Sequence, residues 1–191
     1  MSRTVCVAVL MLVSIVSCPS LGWAQDDEAQ PATWEPKVAF SAEQSRMCPL
    51  DVGDEFPTAE LTNLAGDDFD LAGALADGWT LVAFWNEEYV GGVQIRNHLM
   101  RVLGDADNVQ VITVYVGDDR QEAEKIVATD PDQTATHTQD SEGALWSEVA
   151  KKSQPPRLFL LKGNQIVWLD IEYSQAAERE MLNAIRFHAK G

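Results

Sequence analysis

Paired cysteines are absent from this sequence. Its 191 residues include three cysteines, Cys6, Cys18 and Cys48, and no two of them have the Cys-x-x-Cys spacing. A dithiol pair of that kind works because one thiolate attacks a disulfide and the second thiol then resolves the mixed disulfide. A single thiol cannot perform both steps. The sequence therefore predicts that the chain does not catalyse dithiol exchange on its own.

Positive charge is also scarce. The chain has 14 lysine and arginine residues against 30 aspartate and glutamate residues, which gives a net charge of −16. A negative field of this size repels nucleic acids and anionic lipid surfaces. The sequence contains no run of basic residues interleaved with aromatic ones. We therefore expect no nucleic-acid partner.

Histidines are few, and the familiar cofactor motifs are missing. His98, His137 and His188 are widely spaced and have no cysteine nearby, so a metal site is not expected. Gly91 and Gly92 lack the further glycines of a phosphate-binding loop. No cofactor is therefore predicted.

The apolar run near the N-terminus is shorter than the roughly 20 residues that a membrane span requires. Residues 5–16 are largely apolar, follow Arg3 and precede small and turn-forming residues that end at Ala24. This pattern is typical of a secretory signal peptide. We interpret residues 1–24 as a signal peptide and expect an exported protein, periplasmic or secreted.

A second processing route remains open at Cys18. Residues 15–18, Ile-Val-Ser-Cys, loosely resemble a bacterial lipobox, which would leave Cys18 lipidated and the protein attached to a membrane. Pro19 favours cleavage at Ala24 instead. Cleavage there leaves Cys48 as the only cysteine. Three states of its side chain remain open: an intermolecular disulfide bond, a free thiol, or a buried and inert thiol.

Composition changes after residue 46. Residues 25–46 are acidic, rich in Gln and Pro and without apolar periodicity, and we interpret them as a flexible leader. Residues 47–191 form a domain in which strand and helix patterns alternate, with Ser141 as an expected helix N-cap. The predicted strands are residues 81–85, 109–116, 134–138, 157–161 and 165–171, and the predicted helices are residues 71–75, 92–103, 117–128, 141–150 and 174–189.

Four segments of this domain match a known family. Residues 52–57, Val-Gly-Asp-Glu-Phe-Pro, look like its entry segment, residues 64–71 like its first hairpin, and Phe84-Trp85 like the aromatic pair that ends its central strand. Residues 154–160, Gln-Pro-Pro-Arg-Leu-Phe-Leu, look like its cis-proline segment. Over residues 51–190 the chain thus resembles the secreted thioredoxin-like thiol-disulfide oxidoreductases and the redoxin group beside the peroxiredoxins. The resemblance implies an α/β thioredoxin-like fold, with a central mixed β-sheet flanked by helices.

The resemblance also places the site. Tyr89 and Gly92 stand where the family has its two redox cysteines, and Pro156 takes the role of the cis-proline. Glu87 and Glu88 precede them and are interpreted as a solvated loop, although acidic neighbours would raise the pKa of a thiol there. The cis-proline side of such a fold offers a groove in which an extended peptide backbone can pair.

Two functions remain open. The first is an exported binding or structural module that holds a protein or an extended peptide at the groove beside Pro156 without catalysis. The second is a thiol-disulfide oxidoreductase, or a redoxin-type antioxidant protein, that uses Cys48 together with a partner's thiol. The sequence leaves the partner and the oligomeric state undetermined.

Overall fold

The computed structural model describes residues 42–76, 78–87, 98, 109–129, 135–151, 157–171 and 174–189. The helices are α1 (Gln44–Met47), α2 (Leu71–Leu75), α3 (Arg120–Ala128), α4 (Ala144–Val149) and α5 (Gln175–Ala189). The strands are β1 (Glu60–Asn63), β2 (Asp68–Asp70), β3 (Trp79–Trp85), β4 (Val109–Val116), β5 (Thr136–Asp140), β6 (Arg157–Lys162) and β7 (Gln165–Asp170). None of the described helices is long and apolar enough to cross a membrane. The expected signal peptide and most of the expected helix 92–103 lie outside the described residues.

Within the described residues the strands form one seven-stranded sheet in the order β2-β1-β5-β4-β3-β6-β7. β3 pairs with β4, and β4 with β5, in parallel, whereas the other neighbours are antiparallel. β3 is buried from Thr80 to Trp85 because helices and loops cover both of its faces, which explains its continuous apolar sequence. The predicted mixed sheet flanked by helices is confirmed.

The core lies on both faces of this sheet. Side chains alternate along a strand, so Val82 and Phe84 point into one cluster while Leu81 and Ala83 point into the other. The second cluster includes Met181 of α5, which is fully buried. α5 therefore packs one face against the sheet, as its helical periodicity predicts.

Aspartates begin two of the helices. Asp70 accepts a hydrogen bond from the N–H of Gly73 at 2.9 Å, and Asp119 accepts one from the N–H of Glu122 at 3.0 Å. A side-chain oxygen at this position satisfies an N–H group that the first helical turn leaves unpaired. The predicted helices at 71–75 and 117–128 are thus confirmed, with α3 beginning at Arg120.

The prediction that Ser141 caps α4 is wrong. β5 continues to Asp140, which lies opposite Val116 of β4, so residues 141–143 form the turn. Gly143, with a φ of 68°, occupies the N-cap position. The Asp140 carboxylate accepts a hydrogen bond from the N–H of Trp146 at 2.7 Å. It therefore satisfies an N–H group of the first helical turn, the role expected of Ser141. Strand pairing has moved β5 toward the C-terminus and delayed the start of α4 to Ala144.

The chain's first described segment is tied to the domain. α1 crosses the expected boundary at residue 46, and the C=O of Met47 accepts a hydrogen bond from the N–H of Lys151 at 2.7 Å. Further along, Gly53, Asp54 and Phe56 form backbone hydrogen bonds of 2.7–2.9 Å with Asn164 and Ile166. This second contact covers the outer edge of β7 at its start.

Candidate functional site

The candidate site lies at the edge of the sheet where the parallel strands β3, β4 and β5 all end. β6 runs in the opposite direction and begins at this edge, with Arg157 opposite Phe84. Tyr89, Gly92 and Pro156 lie outside the described residues. Their flanking residues Glu87 and Arg157 are described, and the geometry below starts from them. The cis state of Pro156 stays a prediction.

Glu87, two residues beyond β3, is held by a buried tyrosine of the neighbouring strand. The hydroxyl of Tyr115 donates to Oε2 of Glu87 in a short hydrogen bond. Tyr115 is fully buried, and its ring centroid lies 5.0 Å from that of Trp85. Burial, and then the contact with Glu87, raise the pKa of Tyr115 well above its ordinary value. The solvated loop expected from the sequence is therefore wrong for Glu87, which is half-buried, while Glu88 lies outside the described residues.

Gly117 leaves room for this contact. A Cβ atom at residue 117 would lie 2.8 Å from the Tyr115 hydroxyl oxygen, closer than real contacts allow. The C=O of Gly117 accepts from the side-chain amide of Gln139 at 2.8 Å. The ends of β3, β4 and β5 are thus joined through side chains as well as through the sheet.

A buried cation lies at the start of β6. Only 1% of the Arg157 surface is exposed. Its Nη1 donates to the C=O of Ile171, and its guanidinium carbon lies 5.9 Å from the centroid of the Trp146 ring. A buried charge is tolerated only with such partners. Sequence reasoning treated Arg157 as an ordinary strand residue; a lone charge just before the apolar run 158–161 was the available signal.

Cys48 belongs to the core. The residue is 4% exposed, and its Sγ donates to the C=O of Leu50 at 3.4 Å. Burial raises the pKa of the Cys48 thiol and outweighs the opposing effects of that hydrogen bond and of the Arg157 charge. Among the alternatives left open by the sequence, the structure supports the buried thiol. Such a thiol has little thiolate at neutral pH and is a poor nucleophile.

The described part of the chain contains no cluster of three or more His, Cys, Asp or Glu residues that could hold a metal ion. His98 has its Nε2 at 2.8 Å from Oε2 of Glu178 on α5. His137 has its Nδ1 at 2.8 Å from the hydroxyl of Thr113. These two histidines therefore have partners within the fold.

Comparisons with protein-family models and with curated proteins give no match. Solved structures do match. The thioredoxin domain of a thiol-disulfide oxidoreductase from Bacteroides vulgatus is 13% identical, with 73% of this chain and 98% of that chain covered and a TM-score of 0.58. A secreted Mycobacterium tuberculosis disulfide oxidoreductase, homologous to DsbE of E. coli, is 15% identical, with 68% and 95% covered and a TM-score of 0.56. DsbF of M. tuberculosis is 18% identical, with 68% and 93% covered and a TM-score of 0.57.

Proposed function

The chain has a thioredoxin-like fold, and on that premise we propose that it is an exported binding module which holds an extended peptide beside Pro156 and performs no dithiol exchange. The observation that carries the proposal is the set of cysteines. Only Cys48 lies outside the proposed signal peptide, and it is buried in the core. The positions that the family resemblance assigns to redox cysteines hold Tyr89 and Gly92.

The burial of Cys48 counts against the alternative, an oxidoreductase that uses this thiol with a partner's thiol. A thiol that attacks a disulfide must reach the second sulfur and must be deprotonated. With 4% of its surface exposed and its pKa raised, Cys48 meets neither requirement in the folded protein. We therefore place the binding function first.

Peptide binding fits the candidate site because both sides of it are anchored. Glu87, which precedes the segment with Tyr89, is held by Tyr115, and Arg157, which follows Pro156, is held by Ile171 and Trp146. A groove whose flanking residues are held in place loses less entropy when a peptide binds. Export is proposed on the N-terminal pattern, and the similar M. tuberculosis oxidoreductase is described as secreted.

A random-peptide display library panned against the mature protein tests the proposal. We expect selected peptides, once synthesised, to bind wild type and Cys48→Ser equally and to bind Pro156→Ala roughly tenfold more weakly, which corresponds to about 1.4 kcal/mol. Insulin reduction by wild type should not exceed a thiol-free control. Insulin turnover that disappears in Cys48→Ser would overturn the proposal in favour of the oxidoreductase. A library that yields no binder, or binders indifferent to residue 156, would also overturn it.

A further inference from the structure

We propose that the outer edge of β2 binds an extended, positively charged peptide by strand addition, at a site separate from the groove beside Pro156. β2 is the last strand of the sheet, and within the described residues its only strand partner is β1. In strand addition, backbone hydrogen bonds give affinity and the side chains on either side give specificity.

The register shows which backbone groups of β2 face outward. The N–H of Asn63 donates to the C=O of Asp67 at 2.8 Å, so these two opposed residues form a hydrogen-bonded pair. Hydrogen-bonded and non-hydrogen-bonded pairs alternate along an antiparallel ladder. Thr62 and Asp68 therefore form a non-hydrogen-bonded pair, and the N–H and C=O of Asp68 point away from β1. The same alternation directs the N–H of Asp70 outward.

A groove accompanies this edge at the open end of the hairpin. It has a volume of about 560 Å³ and is lined by residues 58–61 and 68–72. Phe69 and Ala59 are half-buried and give it apolar surface. An extended segment that places alternate side chains on the two faces of a strand could put apolar groups against this surface.

The negative charge around this groove indicates which kind of peptide would bind there. Glu60, Asp68 and Asp70 are exposed at the groove, with Glu60 directly opposite Asp70, and among the described lining residues none is basic. Arg120 lies at the other end of the hairpin against Gly66 and pairs with Glu124 at 3.3 Å. Like charges on facing strands are destabilising, so these carboxylates oppose the pairing of two copies of this chain. They favour a segment in which Lys or Arg alternates with apolar residues.

The probe is the synthetic peptide Lys-Val-Lys-Val-Lys-Val-Lys, titrated into the mature protein by calorimetry and by NMR of backbone amides. We expect saturable binding that weakens as salt is added and that shifts and protects the amides of Asp68 and Asp70. Glu60→Lys should weaken binding about tenfold, because a repulsion replaces an attraction. Glu142→Lys is the control, because it makes the same charge reversal on an exposed turn. Its affinity for the peptide should stay within about twofold of that of the wild type.

The variants Asp68→Ala and Asp68→Pro form a matched pair that isolates the backbone contribution. Both remove the carboxylate, but only proline removes the outward N–H, and an edge strand tolerates proline at such a position. We expect Asp68→Pro to bind more weakly than Asp68→Ala. The proposal would be overturned if Asp68→Ala and Asp68→Pro bound the peptide equally well. It would also be overturned if the acidic peptide Glu-Val-Glu-Val-Glu-Val-Glu bound as tightly, or if the amide shifts occurred away from β2. Pro156→Ala should leave this binding unchanged, so failure here is distinguishable from failure of the proposed function.

Discussion

The Tyr115 hydroxyl donates a hydrogen bond to the carboxylate of Glu87, and this contact joins the end of β4 to the residues that leave β3 toward Tyr89. Because Tyr115 is fully buried, its hydroxyl has no bulk water to replace this acceptor, whereas the half-buried Glu87 keeps some contact with water. The contact therefore bears on stability as well as on the shape of the site.

Tyr115→Phe should lower the free energy of unfolding by about 1.5–3 kcal/mol, the usual contribution of a hydrogen bond to a charged group. The substitution removes one oxygen atom and leaves Glu87 without this donor. Urea unfolding of the mature protein measures the change. Glu87→Gln is the control: it keeps an acceptor oxygen and should be less damaging. Unchanged stability in Tyr115→Phe would contradict the stabilising role.

Alkaline pH should destabilise the wild type more steeply than Tyr115→Phe. The pKa of Tyr115 is raised in the folded state, so above the ordinary tyrosine pKa of about 10 the unfolded chain releases a proton that the folded chain retains. The contribution of the protonated Tyr115 to the free energy of unfolding is fully present below about pH 10. It is lost as the pH rises above that value, by up to about 1.4 kcal/mol per pH unit. Unfolding curves at stepped pH for the two proteins give the difference. Parallel pH profiles would mean that Tyr115 titrates normally.

Gly117→Ala should destabilise the protein by about 1–3 kcal/mol, since its Cβ would lie 2.8 Å from the Tyr115 hydroxyl oxygen. The added Cβ would also lie 2.9 Å from Cζ and 3.1 Å from Cε1 of the ring, which phenylalanine keeps. In a Tyr115→Phe background only the share of the effect that the oxygen causes should therefore disappear. A double-mutant cycle by urea unfolding measures the coupling. Strict additivity would show that the clash is with the ring carbons and not with the hydroxyl oxygen.

Cys48 should react slowly with a thiol reagent in the folded mature protein and rapidly in denaturant. Burial both hides the sulfur and keeps it protonated. The reaction is followed over time by the colour that a disulfide reagent releases when it reacts with a thiol. Cys48→Ser gives the background signal. Equal rates in buffer and in denaturant would show that Cys48 is accessible and would revive the oxidoreductase hypothesis.

Tyr89→Cys combined with Gly92→Cys, in a Cys48→Ser background, should give an internal disulfide after mild oxidation. Residues with the spacing of a Cys-x-x-Cys pair at the start of a helix fall within the roughly 4.4–6.8 Å between Cα atoms that a disulfide accepts. Glu87 and Glu88 should disfavour the thiolate, so we expect bond formation rather than rapid catalysis. Counting free thiols measures the result. Two thiols that remain free would show that the alignment of residues 89 and 92 with the family's cysteines is wrong.

The sequence predicted the fold wherever local patterns decide the structure. The strand over 109–116 and the helix over 71–75 have the predicted bounds, because a buried strand and a capped helical turn have local signatures. Ser141 failed as a cap because pairing of β5 with β4 extended the strand to Asp140, which is a non-local effect.

The site was less predictable for the same reason. Glu87 and Tyr115 are 28 residues apart, and no spacing rule connects them. The partners of Arg157 come from α4 and from the residue after β7, so its burial becomes evident only when three segments are assembled. The burial of Cys48 was one of the alternatives that the sequence left open, and packing in three dimensions selects it.

The two edges of the sheet differ, because residues 53–56 already occupy the outer edge of β7 at its start. A fibril of stacked sheets grows only when each added molecule offers a fresh edge to the next. Here the chain's own backbone already covers the start of β7, which hinders the stacking of one copy's β2 on the next copy's β7. We therefore expect copies of this chain to stay separate instead of joining edge to edge into a polymer through β2 and β7.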